Sequence, residues 1–456
     1  MFGFPRSTNC CPRSRRGWLR CKAMSSGRST DRPHIRTLKE GLVKATKLFG
    51  VAVALLLVGA ACTPDKGVGA PSSTNPASSA TAAASEPITI GLLTPLSPPG
   101  DPAAGQLIQR GAELGVVYVN TVMKGVLNGR QVQLAVEDDA GTPATGATGY
   151  RRLVTEKKAV AVTGQFHSSV NIAVNEVANE VGVPVISTQG SAADITAKHY
   201  PVAFRTHVID PFRASSWLSW IQQKGYKKIA LIAETSDYGI GLVNETKAQA
   251  AAGNMNLTFD IEQFDHASTD LTPQLLKAKA FGPDLVINIG VGAPADLMLD
   301  QANTIGLYPA VPMLISYDTP TRAQWFQLHP SDGVGVYFIA YFSPKQELSD
   351  AGQWLATAYQ AKYNEPPIYG ALNAFADVIV IAQAIQKAGN TDAKTLITTL
   401  EDPAGYKGWA AVPVTFPKDG AGAFYHTWIP PILILQYTQA NQNWRDAKLD
   451  ASFSKK

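Results

Sequence analysis

From Ile88 onward, short apolar runs alternate with segments whose apolar residues recur at helical spacing. ITIGLL (88–93), VQLAVED (132–138), AVAVTG (159–164), VPVIS (183–187), KIALIAE (228–234), DLVINIG (284–290) and PMLISYD (312–318) have the length of strands buried on both faces. Between Ser168 and Gly182, Val170, Val174, Val177 and Val181 fall at i, i+4, i+7 and i+11, one apolar stripe of a helix. Ser168 or Ser169 is its expected N-cap and Gly182 its C-terminal stop. Strand and helix in regular alternation predict an α/β protein, and two successive series of such units predict two doubly wound Rossmann-like lobes. In such sheets ligands gather at the carboxyl ends of the strands, and two lobes can turn those ends toward each other across a cleft.

The first 87 residues follow another pattern. LFGVAVALLLVGAA (48–61) is an apolar run preceded by Arg32, Arg36, Lys39, Lys44 and Lys47, and it is shorter than the roughly 20 residues that span a bilayer. It reads as an export signal, so residues 1–61 are expected to be a signal peptide, with Met24 as an alternative start. Gly59, Ala60 and Ala61 before Cys62 resemble the bacterial lipobox, with Gly59 where that pattern usually has Leu. Cleavage there would leave Cys62 to carry a lipid; the competing reading is an ordinary signal peptide with an incidental thiol. All four cysteines lie at or before position 62, which rules out a disulfide framework in the mature chain. Residues 63–87 are Ser-, Ala-, Thr-, Pro- and Gly-rich with almost no large apolar side chain, so 62–87 is expected to be a lipid anchor and flexible tether.

Charge follows this division. The formal net charge is +4, but 12 of the 40 basic and 2 of the 36 acidic residues lie within 1–61, leaving about −6 on the rest. A folded part that is net acidic does not bind nucleic acid by counterion release.

ITIGLLTPLS, QLIQRGAELGVVYVN, GVLNGRQVQLAVEDDAGTP, GQFHSSV, VPVISTQGSAADIT, FRTHVID, KKIALIAETSDYGIG, GPDLVINIGVGAPADLMLDQA and YGALNAFADVIVIAQAIQKAG together resemble, in order and spacing, the type I periplasmic binding proteins of the leucine/isoleucine/valine-binding family. The resemblance covers most of residues 88–435. It implies a monomeric two-lobed solute receptor that delivers its ligand to the permease of an ABC importer, binds no cofactor and sits outside the cytoplasm on the bacterial membrane. It implies three crossings between lobes, expected near His207, Phe342 and Val412, giving lobe 1 as 88–207 plus 343–411 and lobe 2 as 208–342 plus 412–450. It places the ligand carboxylate on Ser168, with Ser169 beside it, and on Gly190 and Ser191. A helix N-terminus suits that task, since its unpaired N–H groups favour an anion. Tyr238 matches a family tyrosine that reaches across from the second lobe. Asp318 is the expected partner of a ligand ammonium, with Tyr317 one residue away in register, and His167 is an additional candidate donor. Plain capping or burial would account for each of these residues without any ligand. The chain departs from the amino-acid binders in having Ser97, Pro98 and Pro99 where they read T-G-P, and Val291 and Gly292 where they place tyrosines.

Two other classes compete. Gly290, Gly292 and Ala295 fit the dinucleotide fingerprint, with Asp318 as its acidic residue, which would make the chain an NAD-dependent oxidoreductase. Every doubly wound fold selects glycine in such turns, however, and an exported protein leaves the cytosolic cofactor pool. A sensor presenting solute to a separate receptor shares the receptor chemistry and differs only in its partner. There is no G-x-S-x-G, H-E-x-x-H or P-loop motif and the seven histidines show no ligand spacing, so neither a catalytic residue nor a metal ligand is expected.

Overall fold

The fold is described from a computed structural model over residues 86–455. The expected signal peptide, Cys62 and nearly all of the tether lie outside the described residues.

The first sheet has five parallel strands in the order β2-β1-β3-β4-β5: β1 (Ile88–Thr94), β2 (Val132–Asp138), β3 (Val162–Thr163), β4 (Val185–Ser187) and β5 (Ala203–Arg205). Every residue of β1 is buried, as its unbroken apolar run requires of a strand covered on both faces. The second sheet has seven strands in the order β12-β11-β10-β9-β8-β6-β7. Its members are β6 (Lys228–Glu234), β7 (Thr258–Phe264), β8 (Leu285–Ile289), β9 (Met313–Ile315), β10 (Tyr337–Ala340), β11 (Ile432–Gln436) and β12 (Lys448–Phe453). Strands β6 to β10 run parallel, and β11 and β12 close one edge antiparallel. The fold is the two-lobed α/β architecture that the sequence pattern predicts.

Helices fill the layers. Val170, Val174 and Val177 of helix Ser168–Val181 are buried, and Gly182 ends it in the left-handed conformation (φ 82°). Neither serine caps its start: His167 holds the N-cap position and no side chain bonds the first turn. The reason is that Ser168 already lies in the helix, with its hydroxyl committed elsewhere. Helix Tyr369–Ala388 is apolar and long enough to cross a membrane, yet 89% of its apolar window is buried inside lobe 1. It lies so close to helix Pro102–Thr121 that a Cβ at Gly111 would stand 2.1 Å from the Ala371 carbonyl oxygen.

The chain leaves the first sheet after β5 into helix Asp210–Lys224 and returns after β10 into helix Asp350–Tyr363. The third crossing differs from expectation. Arg205 N–H donates to the His426 carbonyl (2.9 Å) and Trp428 N–H to the Arg205 carbonyl (2.9 Å), so residues around Thr427 extend the first sheet beyond β5. The crossing therefore falls after Trp428 rather than near Val412, and between Val414 and Trp428 the chain bonds to Tyr406, Thr196 and Arg205 of lobe 1. Backbone pairing at a sheet edge, which leaves no periodic signature in so short a segment, decides this boundary.

Candidate functional site

The carboxyl ends of β3, β4, β6, β8 and β9 converge on a cavity of about 200 Å³ between the lobes. Lobe 1 contributes Phe166, His167, Ser168, Ser169, Gln189 and Ser191; lobe 2 contributes Glu234, Tyr238, His266, Val291 and Tyr317.

On the lobe 1 side, Ser168 Oγ accepts hydrogen bonds from the N–H groups of Ser191 (3.3 Å) and Ala192 (3.2 Å). This locks the turn after β4 to the helix after β3. Ser191 itself is 1% exposed, and its hydroxyl faces the buried Asp210 carboxylate, whose charged form it favours. His167 Nε2 accepts from Asp101 N–H (3.2 Å), and burial pushes the imidazole pKa down to about 4 despite the nearby Glu234 charge, so the ring is neutral. With no side chain capping it, the first turn of helix Ser168–Val181 offers N–H groups and positive partial charge at this wall.

The lobe 2 side is aromatic and charged. Tyr238 Oη shares a 2.7 Å hydrogen bond with Ser316 Oγ. The Tyr317 hydroxyl donates across the cleft to the Gln189 carbonyl (2.8 Å). Behind both rings lies the buried Arg213 guanidinium, 5.5 Å from the Tyr238 centroid and 5.2 Å from that of Tyr317. Glu234, 1% exposed at the end of β6, is the one carboxylate among the described residues lining the cavity. Its Oε1 accepts from Ser236 Oγ (2.5 Å) and its Oε2 from Val291 N–H (3.3 Å). His266 places Nδ1 3.5 Å from Glu234 Oε2 and Nε2 2.6 Å from the Pro99 carbonyl of lobe 1. Interaction with Glu234 raises its pKa above the usual histidine value.

Other bonds span the cleft. Ser169 Oγ accepts from Asp237 N–H (3.3 Å). Asp101 and Arg322 form a buried two-point ion pair at 2.6 and 3.3 Å. Although burial alone would raise it, the Arg322 charge holds the Asp101 carboxyl below the usual range. The lobes are thus held together around the cavity.

Of the residues singled out in the sequence, His167, Ser168, Ser169, Ser191, Tyr238 and Tyr317 line the cavity. Gly190 and Asp318 are not part of the lining. Gly190 is packed against Asn171, where a Cβ would stand 2.5 Å from Nδ2. Asp318 precedes the turn Thr319–Thr321 without a capping bond, and burial pushes its pKa up to about 6. The glycine turn 290–292 does face the cleft, through Val291, and Gly292 (φ 66°) opens helix Ala293–Thr304. Sequence reasoning passed over Glu234, His266 and the Asp101–Arg322 pair. Glu234 was within reach, since it is the last residue of KIALIAE and strand ends are where such folds hold ligands.

Two doubly wound lobes with strand ends facing a shared cavity have the architecture of a cleft-type solute receptor. The model of the periplasmic binding protein family matches residues 87–429, and the chain belongs to that family. It is 27% identical to Leu/Ile/Val-binding protein homolog 3 of Brucella melitensis over 67% of this chain and 80% of that one. It is 29% identical to Leu/Ile/Val-binding protein BraC3 of Rhizobium johnstonii over 69% and 83%. Among solved structures, the branched-chain amino acid transporter substrate binding protein LivJ of Streptococcus pneumoniae, in complex with isoleucine, aligns with a TM-score of 0.68 at 24% identity, covering 80% of this chain and 99% of that one. A solute binding protein of an R. palustris ABC transporter, in complex with benzoate, aligns with a TM-score of 0.67 at 20% identity, covering 81% and 97%. The relatives are solute-binding proteins of ABC transporters, and the family is extracytoplasmic.

Proposed function

We propose that this protein is the substrate-binding component of an ABC importer, held at the outer face of the membrane by a lipid on Cys62, and that it carries a small amino acid to the permease without acting on it chemically. The observation that carries this reading is the division of the cavity. An uncapped helix N-terminus and Ser191 stand on one lobe, and the Glu234 carboxylate on the other. That arrangement complements a zwitterion, whose carboxylate meets N–H groups and whose ammonium meets Glu234. The apolar surfaces of Phe166, Val291 and the tyrosine rings suit an uncharged side chain. Names of the relatives point the same way, toward a branched-chain amino acid. Ligand bridging the two walls favours the closed form, which is the state a permease would read.

Glu234, not Asp318, is the ammonium partner in this reading, because it is Glu234 that reaches the cavity. The cavity, of about 200 Å³, matches a small solute better than a dinucleotide, which weighs against an NAD-dependent enzyme. Thermal unfolding of the full chain against branched-chain, polar and acidic amino acids, aromatic carboxylates and NAD tests the assignment. A ligand at about 1,000 times its Kd adds roughly 4 kcal/mol to native stability. Stabilisation by branched-chain amino acids supports the proposal; stabilisation by NAD alone would refute it. Lipid attachment is checked separately, by incorporation of labelled fatty acid into the wild type and its loss in Cys62→Ala.

A further inference from the structure

Lobe 2 holds a second polar cluster, none of whose members lines the cleft cavity. Helix Ala293–Thr304 carries Asp296 and Asp300 one turn apart, and the loop after helix Trp325–Leu328 brings His329 and Asp332 against them. The His329 side chain is 0% exposed and lies under the Trp325 ring at a centroid distance of 4.3 Å. Its Nδ1 is 2.9 Å from Asp300 Oδ1 and 3.7 Å from Asp332 Oδ2. Its Nε2 makes no hydrogen bond, and Asp296 Oδ1 stands 3.5 Å away.

A neutral imidazole has one donor and one acceptor, yet here both nitrogens face carboxylate oxygens. Asp300 and Asp332 converge on the same nitrogen, bringing two like charges together. A cation at Nδ1 would relieve that repulsion and leave Nε2–H to point at Asp296. This is the carboxylate–histidine–metal arrangement that orients metal-ligating histidines.

The geometry points to a divalent transition-metal site in lobe 2, with His329 Nδ1, Asp300 and Asp332 as ligands and Asp296 orienting the imidazole through Nε2. The three ligand atoms lie within 4.8 Å of one another, and metal–ligand distances of about 2.1 Å would bring the Asp332 oxygen closer and part Nδ1 slightly from Asp300. One imidazole and two carboxylates suit Zn²⁺ or Mn²⁺ better than Ca²⁺, which takes about six to eight oxygens. Asp300, 50% exposed, leaves a route from solvent and room for water to complete the coordination. Metal here ties the loop after helix Trp325–Leu328 to helix Ala293–Thr304. The site is independent of what the cleft binds.

The test uses the full chain stripped with chelator, then titrated with Zn²⁺, Mn²⁺ or Ca²⁺ while thermal unfolding is followed, with Mn²⁺ binding read independently by electron paramagnetic resonance. Saturable stabilisation at one equivalent of Zn²⁺ or Mn²⁺, with at least a tenfold weaker Kd in Asp332→Asn and in the exposed Asp300→Asn, is expected. Because Asp300 is half exposed, that variant should unfold normally in chelator and keep the comparison valid. Equal responses in wild type and both variants, or a cluster that answers only to pH with no metal effect, would overturn the assignment and leave His329 as a buried imidazolium.

Discussion

The two walls of the cleft are built differently. On lobe 1 the hydroxyl of Ser168 is spent on the N–H groups of Ser191 and Ala192, and His167 is held neutral against Asp101 N–H. These groups hold one another whether or not the other lobe is near. On lobe 2 the Tyr317 hydroxyl, His266 and Arg322 all make bonds that exist only when the lobes meet, and Glu234 brings the lining its carboxylate. Lobe 1 therefore fixes the shape of the site, and lobe 2 supplies charge and closure. Substitutions on the first wall should act on folding stability, and those on the second on closure and affinity.

The strongest challenge to that division is Arg322→Ala. It leaves Asp101 buried and unpaired in the closed form, a situation that costs about 3–5 kcal/mol in comparable buried pairs. The lobes should open, so that the interlobe distance between spin labels lengthens; an unchanged closed distance would mean other contacts hold the cleft. Since the Asp101 pKa is lowered, its contribution is complete above the ordinary aspartate value near ~4 and is lost only as pH falls through the depressed one. Closure through this pair should accordingly be insensitive to pH from neutrality down to about 5. Glu234→Gln comes next, with a predicted loss of about 2–4 kcal/mol for an amino acid and much less for the matching keto acid, which has no ammonium. Calorimetry that showed equal losses for both ligands would remove Glu234 from the ammonium role.

On the first wall, Ser168→Ala deprives two buried N–H groups of their acceptor. Unfolding free energy should fall by about 1–3 kcal/mol, with affinity following only through that loss. A tenfold or greater weakening of ligand binding at undiminished stability would erase the distinction between the walls.

How far the sequence foretold this arrangement follows from where the information sits. Strands such as ITIGLL and KIALIAE are legible because parallel strands covered on both faces must be apolar throughout. By contrast β7, TFDIEQF, mixes polar and apolar residues at a sheet edge, and β5 and β10 are too short to show a period. The serine turn of GQFHSSV is legible as a helix start at the strand ends and does line the cavity, although the capping it suggests is absent because Ser168 bonds a neighbouring turn instead. Glu234, His266 and Asp101–Arg322 were hidden for a different reason. Each matters through a partner more than 30 residues away or on the opposite lobe, and such pairings are set by how the lobes close rather than by local pattern.

His266 offers the smallest and most selective way to sharpen the comparison. Its ring contacts Glu234 within lobe 2 and the Pro99 carbonyl of lobe 1, with the neutral His167 ring 5.3 Å away and Asp101 adding a favourable charge. A hydrogen bond to Pro99 needs a proton on Nε2, and the ion pair with Glu234 needs one on Nδ1, so both together require the imidazolium. Because its pKa in the closed form is raised, the stabilisation is fully present below the ordinary histidine value near ~6.5 and is lost as pH climbs through the raised one. Ligand affinity should therefore fall about three- to tenfold between acidic and alkaline pH, the difference between a charge-assisted and a neutral hydrogen bond. In His266→Gln the amide can still donate to Pro99 but cannot titrate, so the pH profile should flatten. A slope that survived in that variant would place the titrating group elsewhere; one that vanished would show that lobe 2 carries the charge that closes the cleft.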